Sequence, residues 1–269
     1  MLPGHPVLFK STCYVDGRWI HSDSAATVAV VNPADQAVIG HVPMLERAQI
    51  VGAVDAAQRA YDTWRWTPQA ARSAALLRWH ALILRHVDDL AALLSLEQGK
   101  PLAEARGEIR YAASFVEWFA NEAKGVAGRT IPTHIDGAHL GTVMEPVGVA
   151  ALITPWNFPA AMITRKAAAA IAVGCTVVVK PAHETPFSAL ALAQLADEAG
   201  FPAGVFNVVL GEPQMAMETL VGDTRVRAVS FTGSTRVGRL VTETAAKAGI
   251  RKIALELGGN APFIVTEDA

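Results

Sequence analysis

An alternation of short apolar stretches with longer amphipathic stretches constrains the fold of this chain more than any other feature. Residues 147–153 are apolar, residues 154–159 form a proline-rich turn, and small and apolar residues predominate over 160–173. This order favours strand, sharp turn and helix. The same alternation continues, with strands expected at 176–181, 205–210, 227–234 and 252–257 and a helix at 188–199. The pattern predicts an α/β fold with a doubly wound, Rossmann-like parallel sheet.

Composition and charge exclude several classes of protein. Of the 269 residues, 51% are hydrophobic and 18% are charged, against a usual charged share of about 25%, so much of the chain should be buried. The net charge is -2 and the sequence has no basic block, so it lacks the clustered positive charge that is typical of a nucleic-acid-binding protein. The longest apolar run, 167–179, is shorter than the roughly 18 residues that a membrane span needs. It favours a buried helix and strand.

The two cysteines, Cys13 and Cys175, are far apart and form no CxxC pattern. We therefore expect neither a disulfide framework nor a metal site, and a reducing, cytoplasmic setting is the default. Residues 1–10 lack the basic and long apolar regions of a secretory signal. Cys175 lies in a buried-strand context, whereas Cys13 is expected to precede the fold.

The first half of the chain predicts short strands followed by long helices. Aromatic residues recur at helical spacing over 103–124, and this stripe favours core packing over a cofactor slot. Residues 125–137 are rich in turn formers and precede a possible strand at 139–143. The other expected elements are strands at 14–20 and 27–31 and helices at 48–65 and 68–96, and the aromatic stripe comprises Tyr111, Phe115, Trp118 and Phe119.

The turn at 154–159 is a candidate ligand site, because α/β folds bind ligands at the carboxyl ends of their strands. Pro155 and Pro159 stiffen the turn, and the side-chain amide of Asn157 can donate hydrogen bonds there. A plain turn with an asparagine at the helix cap remains the alternative.

Residues that could bind a ligand follow or end two further strands. After the strand that ends near 231, Gly233 and Gly238 would let the backbone approach a ligand, and free amides at a helix start favour phosphate. Lys180, at another strand end, could hold a ribose or a phosphate. The alternatives are ordinary turn glycines and a solvated lysine.

Glu256 places a carboxylate in the otherwise apolar segment 252–257. Burial there would raise its pKa, as suits a general base. The alternative is a salt-bridged glutamate at a strand end.

Four motifs, in order, resemble the signatures of the aldehyde dehydrogenase superfamily. The resemblance extends from about Tyr14 to the end. The sequences of residues 111–119, 162–166 and 259–263 are similar to those of the succinate-semialdehyde dehydrogenase branch. The four motifs are Pro155-Trp156-Asn157-Phe158-Pro159, Lys180-Pro181-Ala182, Phe231-Thr232-Gly233-Ser234 and Leu255-Glu256-Leu257-Gly258-Gly259.

The resemblance implies NAD(P)-dependent oxidation of a small aldehyde, succinate semialdehyde, to its acid. Asn157 would donate to the oxyanion and Glu256 would activate water for deacylation. Arg165 would bind the substrate carboxylate through its planar fork, or else be a helix-surface arginine. The cofactor-binding residues implied are Ile153, Thr154, Pro155, Trp156, Lys180, Ala182, His183, Glu184, Gly211, Phe231, Thr232, Gly233, Ser234, Leu257 and Gly258.

The chain departs from its relatives at the ribose position. His183 stands where many relatives have an acidic residue, so the repulsion of an NADP phosphate is removed and NADP should bind at least as well as NAD. Neighbouring residues in extended chain point to opposite sides, so Glu184 need not substitute. Met217 stands where the family has a glycine.

The resemblance also implies a domain division and a missing nucleophile. Residues 1–132 and 146–256 would form the NAD(P)-binding domain, 133–145 a strand of the oligomerisation or bridging hairpin, and 257–269 the start of a largely missing catalytic domain. No cysteine follows Glu256, where the family's nucleophile lies. A homo-oligomer or a separate C-terminal half is expected as partner. The alternative is a truncated, inactive module that binds a nucleotide or a protein.

Overall fold

A seven-stranded sheet between two groups of helices forms the centre of the computed structural model, which describes residues 8–249 and 252–269. The strands are β1 (Cys13–Val15), β2 (Arg18–Ile20), β3 (Thr27–Val31), β4 (Val38–Pro43), β5 (Thr130–Ile131), β6 (Leu140–Gly141), β7 (Val149–Ile153), β8 (Thr176–Lys180), β9 (Phe206–Val208), β10 (Val226–Gly233) and β11 (Lys252–Leu257). The helices are α1 (Arg47–Trp64), α2 (Gln69–Arg85), α3 (Val87–Gln98), α4 (Leu102–Glu122), α5 (Ala161–Ala172), α6 (Pro186–Glu198), α7 (Pro213–Gly222) and α8 (Thr235–Lys247).

The strand order is β11-β10-β7-β8-β9-β1-β2. Strands β7 to β11 are parallel, and β1 and β2 add an antiparallel edge. From β7 the chain builds outward through β8 and β9, then returns to place β10 and β11 on the other side. The predicted doubly wound sheet is confirmed. Its topological switch point, where such folds bind ligands, lies between β7 and β10.

The core follows from the two kinds of apolar sequence. Every residue of β7 and β8 is buried, as expected of parallel strands covered on both faces. Small alanines in α5 and α6 let these helices approach the sheet closely. Beneath α6, the ring of Trp79 meets Phe201 and Phe206 edge-on, each with ring centroids 5.6 Å apart.

Two predictions about the first half of the chain are wrong, and one strand was missed. The helix expected over 68–96 is two helices, α2 and α3, because the chain turns at His86 (φ -104°, ψ 24°). Cys13 does not precede the fold, since β1 pairs with β9 inside the main sheet. The strand β4 was not predicted, and it pairs with β3 in a separate hairpin.

The aromatic stripe of α4 is not wholly core. Tyr111 and Trp118 are exposed, and only Phe115 and Phe119 pack partly against the core. The buried face of α4 is formed by small and aliphatic residues such as Ala112 and Val116. The spacing of the aromatic residues therefore predicted the helix correctly, but the face that carries them is not the buried face.

The segment after α4 carries the small hairpin of β5 and β6, in which Ile131 lies opposite Leu140. The division into domains at 133, 146 and 257 stays a prediction. The described helices include none that is both long and apolar enough to cross a membrane. Most of the stretch at 1–10, where the sequence predicts no secretory signal, lies outside the described residues.

Candidate functional site

At the carboxyl ends of the parallel strands, the residues predicted from sequence lie opposite one another on neighbouring strands. Ile153 lies opposite Lys180 on β8 and opposite Phe231 on β10. One residue further, Thr232 lies opposite Glu256, and Gly233 opposite Leu257. The loop residues Thr154, Ala182, Gly211, Ser234 and Gly258 follow these strand ends directly. Residues that are far apart in sequence therefore share one edge of the sheet.

The ammonium group of Lys180 is nearly buried at this edge. Its Nζ contacts the carbonyl oxygen of Pro181 at 3.4 Å. Burial lowers the pKa of Lys180, while the negative charges of Glu184 and Glu212 oppose that shift. A buried cation with so little protein contact retains donors for an anionic or hydroxylated ligand.

Two buried hydroxyl groups beside this edge have no hydrogen-bond partner among the described residues. They are Oγ1 of Thr154, after β7, and Oγ1 of Thr232, near the end of β10. Buried polar groups are nearly always paired, so these two hydroxyls are available to a water molecule or a polar ligand. With the Lys180 ammonium, they form a donor set that fits the ribose and phosphate groups of a dinucleotide.

The proline-rich turn projects Trp156 outward, with 53% of its surface exposed. Together with His183 and Glu184, Trp156 lines a cavity of about 570 Å³ beneath the β3–β4 hairpin. Asn157 is also exposed. These side chains are thus open to solvent, whereas Ile153 and Lys180 at the strand ends are buried.

The segment after Lys180 differs from prediction. Residues 183 and 184 lie in a turn, so the expectation that extended chain directs them to opposite sides is wrong. Nδ1 of His183 is 3.4 Å from Oε2 of Glu184. A carboxylate therefore remains at the position where His183 replaces the usual acid.

The glycines are held by protein contacts. A Cβ on Gly211 would lie 3.0 Å from the backbone oxygen of Leu45, and one on Gly233 would lie 2.6 Å from the ring of Phe231. The hydroxyl of Ser234 caps α8 by accepting a hydrogen bond from Val237 at 3.3 Å. Close packing explains both glycines without a ligand.

A second cavity, of about 480 Å³, is lined by four charged residues from α5 and β11: Arg165, Lys166, Lys252 and Glu256. Nζ of Lys166 donates to Oγ of Ser230 at 2.8 Å. Burial lowers the pKa of Lys166 to about 8, and the positive charge of Arg165 adds to this shift. The guanidinium of Arg165 lies 5.5 Å from the ring centroid of Phe115. Arg165 is thus half-buried at a cavity wall.

The burial predicted for Glu256 is wrong. Among the described residues, its strand, β11, pairs with β10 on one side and has no neighbour on the other, and Glu256 is exposed. An apolar segment therefore did not make this position buried.

Neither cysteine is suited to nucleophilic attack. Both are buried, and burial raises the pKa of Cys13 to about 12 and raises that of Cys175. A thiolate is the reactive form, so both side chains are inert near neutral pH. Among the described residues, there is no cluster of side chains suited to hold a metal ion.

Sequence reasoning missed three charged residues near the site. Glu212 caps α7 through hydrogen bonds from Gln214 and Met215, which lower its pKa, and its charge also acts on Lys180. Lys100, in the loop before α4, donates to the proline-rich turn at Asn157, and Glu108, on α4, accepts from Ala160 just after the turn. The acidic residue before Pro213 is a recognisable cap signal, but nothing local in sequence pairs Lys100 or Glu108 with residues about fifty positions away.

Comparisons with known proteins relate this chain to a known family. The sequence model of the Aldehyde dehydrogenase family matches residues 19–269. The Halomonas elongata protein named aspartate-semialdehyde dehydrogenase (non-phosphorylating) is 59% identical over 261 residues, which are 97% of this chain and 53% of that protein. The Escherichia coli succinate-semialdehyde dehydrogenase [NADP(+)] is 53% identical over 262 residues, which are 97% of this chain and 54% of that protein.

A crystal structure of an aldehyde dehydrogenase from Brucella melitensis biovar abortus superposes with a TM-score of 0.96 at 53% identity. It covers 100% of this chain, and this chain covers 56% of it. The chain therefore spans about half the length of the relatives that it matches. With both sequence and fold in agreement over nearly all of its residues, the chain belongs to the aldehyde dehydrogenase family.

Proposed function

We propose that this chain provides the dinucleotide site of an NAD(P)-dependent enzyme that oxidises a semialdehyde to a carboxylic acid. The observation that carries the proposal is the edge of the sheet at the switch point. There, Lys180 at the end of β8 pairs with the end of β7, which in turn pairs with β10. The hydroxyls of Thr154, after β7, and Thr232, on β10, are buried without partners among the described residues. This donor set suits a ligand with several ribose and phosphate oxygens.

The chemistry divides between the cofactor and the chain. A bound NAD(P) would accept a hydride from the aldehyde carbon. Asn157 donates a hydrogen bond to the aldehyde oxygen as negative charge develops there. Glu256 removes a proton from the water that releases the acid. Neither Cys13 nor Cys175 supplies the thiol nucleophile, because both are buried and burial favours the neutral form of each.

The substrate would be an aldehyde that also carries a negatively charged carboxylate group. Arg165 and Lys166 supply two positive charges at the wall of the second cavity, which also contains Glu256. A planar guanidinium binds a carboxylate through two parallel hydrogen bonds. Relatives named for aspartate semialdehyde and succinate semialdehyde support this substrate class. Of the two, succinate semialdehyde is our first choice.

The coenzyme would be NADP at least as readily as NAD. His183 lacks the negative charge that repels a ribose 2′-phosphate, and it can add a donor. Glu184, 3.4 Å away, limits this preference. The E. coli relative is named for NADP(+), which supports the same choice.

The test measures reduced coenzyme formed from succinate semialdehyde. The chain alone should form none, and mixing with a separately produced C-terminal half of a close relative should restore turnover. In that mixture, Asn157→Ala should lower kcat by about a hundredfold or more, as loss of an oxyanion donor does. An exposed control, Asn121→Ala, should leave kcat unchanged. Turnover that disappears with Cys175→Ser in the chain alone would overturn the proposal.

A second candidate is a catalytically inactive nucleotide-binding or partner-binding module. The inert cysteines favour it, because they leave the chain without a nucleophile of its own. It predicts dinucleotide or protein binding in the absence of restored turnover. The mixing experiment separates the two functions.

A further inference from the structure

The side chain of Glu108 reaches from α4 to the start of α5. Its Oε1 accepts hydrogen bonds from the backbone N–H groups of Ala160, at 3.0 Å, and Ala161, at 3.3 Å. Residue 160, at the cap of α5, provides no side-chain cap of its own. The first amides of a helix need acceptors, so Glu108 replaces a local cap with one from a different helix.

Lys100 completes this contact from the other side of the turn. Its Nζ lies 2.6 Å from Oε2 of Glu108 and donates to the carbonyl oxygen of Asn157 at 3.1 Å. It also lies 3.9 Å from the ring centroid of Phe158. One ammonium group therefore joins α4 to the middle of the proline-rich turn.

This ion pair is withdrawn from solvent, since the side chains of Lys100 and Glu108 are 11% and 1% exposed. A buried ion pair is a weak source of stability, but it can fix a unique geometry when additional hydrogen bonds complete it. Here the additional bonds all go to residues 157–161. The pair thus forms hydrogen bonds at both ends of the segment 157–161.

We propose that Lys100 and Glu108 are positioning residues that fix the turn from Trp156 to Ala160. They hold the backbone of Asn157 and the start of α5 in one arrangement relative to the end of β7. The inference rests on the function proposed above, in which Trp156 borders the dinucleotide and Asn157 faces the aldehyde. Preorganisation of this turn then raises the affinity for the coenzyme.

Four variants of the isotope-labelled chain test the inference. Lys100→Met and Glu108→Ala each remove one partner, and Lys100→Arg keeps the positive charge. Arg106→Met is the matched control: it breaks an ion pair on the same helix, with Asp88 at 2.6 Å, which has no contact with the turn. Amide hydrogen exchange at Ala160 and Ala161 reports the turn, and calorimetric titration with NADP reports the site. Both are measured at a temperature where every variant is folded.

We expect amide exchange at Ala160 and Ala161 to be at least about tenfold faster in Lys100→Met and Glu108→Ala, while exchange in β8 is unchanged. The affinity for NADP should fall about tenfold, because a small displacement of positioned groups has large effects. Lys100→Arg should recover most of both losses. A purely structural role would lower the melting temperature without selective exchange at these two amides.

Several results would overturn the inference. One is exchange at Ala160 and Ala161 that is no faster than in Arg106→Met. Another is faster exchange with unchanged NADP affinity, which would show that the turn does not govern binding. If Glu108→Ala does not fold, Lys100→Met decides, since it keeps the carboxylate and its amide donors. If the native chain binds neither coenzyme, the proposed function fails, and exchange alone decides whether the pair fixes the turn.

Discussion

Glu97 accepts a hydrogen bond on its Oε1 from the backbone N–H of Ser188 at 2.8 Å, at the start of α6. Its other oxygen accepts from Phe187 at 2.7 Å. Complete burial outweighs these hydrogen bonds and raises the pKa of Glu97 to about 8. The helices after β7 and β8 are thus both capped by carboxyl groups from elsewhere in the chain, Glu108 for α5 and Glu97 for α6.

The buried carboxyl of Glu97 predicts a loss of stability with rising pH. In the unfolded chain the group loses its proton near 4.5, its ordinary pKa, whereas in the folded chain it keeps the proton until about 8. Its stabilising contribution is therefore complete below about 4.5 and is lost as the pH rises through about 8. At about 1.4 kcal/mol for each pKa unit, the change is on the order of a few kcal/mol.

Urea unfolding of the native chain and Glu97→Gln between pH 5 and 9 measures this change. The stability difference between the two proteins should fall across the range, since Glu97→Gln does not titrate. Glu198→Gln, at an exposed position of α6, the helix that Glu97 caps, is the control. Parallel stability curves for the native chain and Glu97→Gln would refute the assignment.

Lys166 should titrate near pH 8, well below an ordinary lysine. Arg165→Gln should raise this midpoint, because a repelling positive charge is lost, and Glu256→Gln should lower it, because an attracting negative charge is lost. Carbon NMR titration of the lysine side chains measures the Lys166 midpoint in the native chain and in both variants, with Lys166→Met used to assign the signal. Shifts in the opposite directions would mean that Arg165 and Glu256 do not border the ammonium.

Exposed apolar residues near the β11 edge predict self-association. Phe263, Ile264 and Val265 are 91%, 82% and 68% exposed. Apolar patches of a few hundred Å² usually mark an interface. Light scattering at micromolar concentration should show dimers or larger particles, and a triple change to serine at 263–265 should reduce them. A monodisperse native monomer is the contrary result.

Much of the fold could be predicted because its signals are local. The apolar runs at β7 and β8 and the motifs at 155–159 and 231–234 each lie within a few residues, and strand ends in a parallel sheet must share one edge. The match of Ile153 to Lys180 and Phe231 then follows from the pairing of neighbouring strands.

The rest depends on three-dimensional arrangement that local sequence patterns do not carry. Glu256 lies in an apolar run, but its exposure depends on which strands cover β11. The pairing of His183 with Glu184 depends on a turn that the extended-chain rule does not describe. The contact of Glu108 with Ala160 spans 52 positions, so no periodic pattern could have indicated it.

The coenzyme preference depends on His183 and Glu184 together. His183→Glu should shift the preference towards NAD by about ten- to a hundredfold, because a like charge then faces the 2′-phosphate. Glu184→Gln should strengthen NADP binding by a smaller factor, because Glu184 is a solvated carboxylate. Competition between NADP and NAD in calorimetry measures both. Unchanged NADP affinity in His183→Glu would assign ribose recognition to another group.

The most direct test of the central claim is calorimetric titration of NADP and NAD into the native chain and Lys180→Met. The exposed Lys247→Met is the matched control. A hydrogen bond to a charged group contributes about 1.5–3 kcal/mol, so Lys180→Met should weaken binding by about ten- to a hundredfold, while Lys247→Met binds as the native chain does. Equal affinities in the native chain and Lys180→Met, or no binding of either coenzyme to the native chain, would contradict a dinucleotide site at the ends of β7, β8 and β10.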